Sequence, residues 1–114
     1  MKEETIKHIF NHYKYFFVEA INNYIYWETF LKPNGRQRPS RIDYDIDLNL
    51  LKGIDFEKEI KETENLQQLN PVLKELFLEF FDEWDFKKMN FSKQILGYEN
   101  INLREAYNKL YKSA

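Results

Sequence analysis

Apolar residues in the first third of the chain recur at helical steps. Ile6, Phe10, Tyr13, Phe17, Ala20, Tyr24, Trp27 and Leu31 follow one another at intervals of four and three, which lays a single apolar stripe along a helix. Ile9, Phe16 and Phe30 flank the stripe on one side, and Val18, Ile21 and Ile25 widen it. A helix over about residues 3–32 is therefore expected to be largely surrounded by protein, and Pro33-Asn34-Gly35 is expected to end it. At its full length it would span about 45 Å. Such a stripe fits ordinary bundle packing better than a dimeric coiled coil, with a homodimer as the alternative.

The pattern then changes. From Ile42 to Leu50 apolar and polar residues alternate strictly, the period of a strand. Aspartate at three of the four polar positions is poor strand chemistry, and no second run exists to pair with it. The reading is an extended arm at about 33–50, ending in a helical turn near Leu48 to Lys52 before Gly53. Asp55 is placed to cap a helix over Phe56 to Leu69, with Phe56, Ile60, Leu66 and Leu69 as its apolar side. Asn70-Pro71 starts the next helix, a capping residue followed by proline at the first helical position. Its core positions are Leu73, Leu76, Phe77, Phe80, Phe81 and Trp84, and Lys87 and Lys88 suit its C-terminal end. A short helix is expected from Asn90 or Ser92 to Leu96. Asn102 and Glu105 resemble a capping box for a last helix carrying Leu103, Ala106, Tyr107, Leu110 and Tyr111. The fold class is all-α: one domain over residues 1–114, five or six helices around the N-terminal one.

Composition narrows this picture. A chain of 114 residues with 43% hydrophobic content is enough for one core and short for two. Cysteine is absent, which removes disulfide frameworks and thiolate metal sites and favours a cytoplasmic setting. No signal-peptide core or membrane span is present, so a soluble protein with no membrane partner is expected. The abundance of Asn, Lys, Ile, Tyr and Phe, with little Ala or Arg, is what an AT-rich bacterial or phage genome would encode.

Charge is segregated. Residues 42–86 hold thirteen acids against four lysines, whereas residues 87–114 hold six bases against two acids. Three of the four arginines, Arg36, Arg38 and Arg41, fall in the segment PNGRQRPSR. A guanidinium grips carboxylate or phosphate in a bidentate fork, which a lysine ammonium does not. The segment reads as a docking element, either for the chain's own Asp43, Asp45 and Asp47 or for a partner, with Tyr44 as an aromatic anchor.

Candidate catalytic chemistry is thin. His8 and His12 share a helix face with Glu4, but the chain has HIFNH where a zincin needs HExxH. Counting an EF-hand loop from Asp43 puts Leu48 and Ile54 where glycine and glutamate are required. Three glycines and three serines leave no phosphate-cradling loop and no good nucleophile setting. No metal, cofactor or catalytic residue is expected. The reading that follows is a non-catalytic protein–protein binding module of bacterial or phage type, an inhibitor, immunity or regulatory protein, whose acidic segment suits a partner with a basic groove. The alternative is nucleic-acid binding through a C-terminal helix-turn-helix-like unit, with Arg104, Asn108, Lys109 and Lys112 facing phosphate.

Overall fold

The computed structural model describes residues 2–39, 45–84 and 102–111. Its central element is α1, Glu3–Tyr26, which opens with Glu3 and Glu4 in the first turn, where negative charge complements the helix dipole. Ile6, Ile9, Phe10, Tyr13, Phe17 and Ile21 are all fully buried, so the stripe is the core of the molecule, as its spacing predicts. Three further α-helices among the described residues pack around it: α2 (Phe56–Glu62), α3 (Pro71–Trp84) and α4 (Leu103–Tyr111). That makes four α-helices where five or six were expected. The proposed short helix from Asn90 or Ser92 lies outside the described residues, as do Lys87, Lys88 and the side chain of Trp84.

The packing between α1 and α3 is largely aromatic. Phe77 meets Phe10 edge-on at 5.1 Å between ring centroids and Phe17 edge-on at 5.4 Å, while Tyr13 meets Phe81 edge-on at 5.4 Å. Edge-to-face placement sets the positive rim of one ring against the negative face of the next. It also locks the two helices together more specifically than aliphatic contact alone would.

Helix α2 is half the length expected, and side chains of α1 explain why. Asp55 caps its start by accepting from the Lys58 amide at 3.3 Å. At its end, the Lys14 ammonium donates to the carbonyls of Lys61 at 3.1 Å and Thr63 at 3.2 Å, and Asn11 Nδ2 donates to the carbonyl of Glu64 at 2.6 Å. These acceptors are thereby satisfied by α1 instead of by a continuing helix. The Asn65 side chain then accepts from the Gln67 amide, starting a separate 3₁₀ turn, Leu66–Gln68. Leu66 and Leu69 remain buried, so the predicted apolar side survives although the helix does not.

The remaining caps follow the sequence reading. Asn70 Oδ1 accepts from the Val72 amide at 2.9 Å, and Asn102 Oδ1 accepts from the Glu105 amide at 2.9 Å. Asp47 caps a 3₁₀ turn, Leu48–Leu51. Residues 36–39 and 45–47 have no regular secondary structure, and no strand occurs among the described residues. The alternation holds at Ile46, buried between exposed Asp45 and Asp47, and is lost in the 3₁₀ turn, where Leu48 is half-buried and Leu50 exposed.

Candidate functional site

The C-terminal end of the first helix is built differently from the rest of it. After Tyr26 the backbone widens into a π-turn, Trp27–Leu31, and then tightens into a 3₁₀ turn, Lys32–Asn34. The Lys32 amide donates to the Trp27 carbonyl, the i to i−5 bond that defines the wide turn. Beyond this point the four-three spacing no longer addresses the core. Trp27 and Leu31, both expected on the buried stripe, are half-buried, and Phe30, expected to flank it, is 56% exposed.

Gly35 closes the helix in the left-handed region at φ 72°, a conformation glycine adopts without a Cβ penalty. The Gly35 amide donates to the Lys32 carbonyl at 3.0 Å and the Arg36 amide to the Leu31 carbonyl at 3.1 Å. Those paired bonds are a Schellman cap. Asn34 Nδ2 adds a bond to the Phe30 carbonyl at 2.6 Å. The first arginine of the loop is therefore held at a fixed point by its own backbone.

The three arginines do not act alike. Arg38 turns inward: it pairs with Asp45, and its guanidinium carbon lies 5.5 Å from the centre of the Trp27 ring. Lys32 Nζ lies 5.3 Å from the same ring and 3.5 Å from Glu28, which accepts in turn from the Tyr24 hydroxyl at 3.2 Å. Burial, with Glu28 and Asp45 nearby, pushes the Tyr24 hydroxyl above its ordinary value, and Arg38 opposes the shift. This network fastens the loop and the arm to the helix end, as expected for internal pairing. Arg36, by contrast, is exposed and has no ion pair among the described residues. Arg41, Asp43 and Tyr44 lie outside the described residues. Asp47 is committed to its turn, accepting from the Asn49 amide at 3.1 Å.

In the last turns of the helix the stripe analysis misplaced Phe30. Tyr26 is 51% exposed and Phe30 56%, and their rings pair at 5.3 Å. Phe30 was read as a flank of the core because the π-turn has no signature in apolar spacing. Lys14 was also missed. It is 6% exposed and lies close to the rings of Phe10 and Tyr15, and the signal was present: Phe10 four residues before it and Phe17, Val18 and Ile21 three, four and seven after it put it on the apolar face.

The residues of the nucleic-acid reading are spread over different roles. Arg104 Nη1 lies 2.6 Å from Glu75 on α3, Asn108 is half-buried and Lys109 exposed. Lys112, and the first helix of the suggested pair, lie outside the described residues. His8 and His12 are both exposed on α1, and no group of three or more His, Asp or Glu is placed to hold a metal ion among the described residues. No helix among them is long and apolar enough to cross a membrane.

His12 sits edge-on to Tyr13 at 5.0 Å. Partial desolvation of this otherwise exposed ring, which packs against Tyr13 and Phe16, comes first and the charge of His8 second in lowering its pKa from the usual imidazole value. A lowered value favours the neutral ring in the folded state, so stability should fall as pH drops from about 6.5 through the folded value. An NMR titration of the His12 ring is expected to give a midpoint below 6.5, rising in His8→Ala but staying below the ordinary value.

Comparisons of the chain with protein-family models, with curated proteins and with solved structures find no match.

Proposed function

We infer that this chain is a non-catalytic protein-binding module, in the manner of a bacterial or phage inhibitor, immunity or regulatory protein acting in the cytoplasm. The observation that carries the reading is the exposed Tyr26–Phe30 ring pair at the end of the first helix, whose cap is closed by the backbone amide of the exposed Arg36. Tyrosine and arginine are enriched among the residues that dominate protein interfaces. Large rings exposed on a rigid turn bind without the ordering cost of a loose loop. Arg36, unlike Arg38, is exposed with no ion pair among the described residues, which suits its fork to a partner's carboxylate. The acidic segment between the arm and α3 extends the charged surface and favours a partner with a basic groove.

Duplex and single-stranded DNA titrations across salt concentrations test this reading. Binding through phosphates would weaken steeply with salt, because each neutralised phosphate releases counterions. No appreciable DNA or RNA binding at physiological salt is expected. Changing Arg36, Arg38 and Arg41 together to lysine keeps the charge and removes the fork. It should weaken binding to a protein partner while costing no more than about 1 kcal/mol of stability, the scale of an exposed ion pair such as Arg38–Asp45. Micromolar, salt-sensitive DNA binding that survives the lysine replacement would instead favour the C-terminal nucleic-acid reading.

A further inference from the structure

An open groove of about 510 Å³ runs between the acidic arm and the first three turns of α3. Its apolar lining comes from Leu50, Val72 and Leu76. Leu50, in the 3₁₀ turn, is 48% exposed, while Leu51 next to it is buried. Around that lining stand four carboxylates, Asp45 and Asp47 on the arm and Glu75 and Glu79 on α3. Two of them have cationic partners within the chain, Arg38 for Asp45 and Arg104 for Glu75. Both nevertheless keep open side chains, 79% and 53% exposed. Glu79 is exposed and has no ion pair among the described residues.

We propose that this groove binds a short segment of a partner protein in which lysine or arginine alternates with leucine-like side chains. The aliphatic side chains would cover Leu50, Val72 and Leu76, and the cations would reach the carboxylate rim. Charge complementarity selects this occupant: a polyanion such as nucleic acid meets a rim of carboxylates, and an uncharged apolar segment leaves Asp47 and Glu79, which have no ion pair among the described residues, without a cation. The proposal rests on the reading of the chain as a protein-binding module and names the chemistry of the partner at a surface that neither Tyr26 nor Phe30 lines.

The test is a titration of the isotope-labelled full chain, followed by amide NMR shifts, with the hexapeptide acetyl-LKLKLK-amide. Two controls are its Leu→Ser form, which keeps only charge, and its Lys→Glu form, which keeps only the aliphatic positions. Saturable shifts at Leu50, Val72, Leu76 and Glu79 are expected with the first peptide, and at least threefold weaker binding with each control. Glu79→Lys should weaken the first peptide at least threefold, Glu79→Gln less. The double change Tyr26→Ala/Phe30→Ala should leave the titration unaltered, so the groove and the helix-end anchor succeed or fail separately. The proposal is overturned if the shifts scatter over the acidic surface, if the charge-only peptide binds equally well, or if millimolar peptide produces none. Concentration-dependent shifts of the groove without peptide would also overturn it, since a second copy of the chain would then be the occupant.

Discussion

Phe17→Ala is expected to remove about 3 to 5 kcal/mol of stability, the range for truncating a fully buried phenylalanine. A domain of this size is typically stable by only about 5 to 15 kcal/mol, so the variant should be mostly unfolded at modest temperature or in low urea. Phe17 is fully buried and touches two rings of α3, Phe77 at 5.4 Å and Phe80 at 5.3 Å. Removing it opens a cavity at the seam that holds α1 and α3 together. Trp27→Ala should cost clearly less despite the larger ring. Trp27 is half-buried, and its indole N–H is buried without an acceptor among the described residues, so truncation loses no hydrogen bond there. Urea melts of both variants, read with their slopes, decide this. Equal loss in the two would place Trp27 in the core after all.

Lys14→Ala is expected to be the second most damaging change, at about 3 kcal/mol, because charge-assisted bonds contribute about 1.5 to 3 kcal/mol each and are not additive. The ammonium satisfies the last carbonyls of α2 from the side of α1. Its loss leaves those acceptors without their donor in a partly dry seam. Lys14→Met retains the stem and its packing, so its cost isolates the hydrogen bonds from the buried methylenes. Hydrogen exchange should speed up first in α2 and in the turn at 66–68, with α3 unaffected. A Lys14→Met variant as stable as the natural chain would show that water satisfies those carbonyls equally well.

The burial of α1 was legible because helical spacing and core-facing positions coincide over Ile6 to Tyr24. Caps at Asp55, Asn70 and Asn102 were legible too, since their side chains act on backbone two or three residues away. What spacing could not reveal was set by contacts distant in sequence. Lys14 and Asn11 end α2 from 47 to 53 residues away, so a local reading ran that helix on to Leu69. The π-turn left no mark in apolar spacing either, and it moved Phe30 from core flank to surface. In the candidate site, the arginine cluster was conspicuous, but its division of labour was not. Arg38 reaches back over Trp27, eleven residues earlier, whereas Arg36 is held outward by a cap that depends on Gly35.

The most direct measurement of the binding role is capture from nuclease-treated lysate of the source cell with the natural chain and with Tyr26→Ala/Phe30→Ala, after confirming that both melt alike. A protein partner retained after nuclease treatment by the natural chain, and lost or at least tenfold weaker with the double variant, is the expected result. A partner that vanishes with nuclease, or one held equally well by both chains, would contradict recognition through the exposed rings at the end of the first helix.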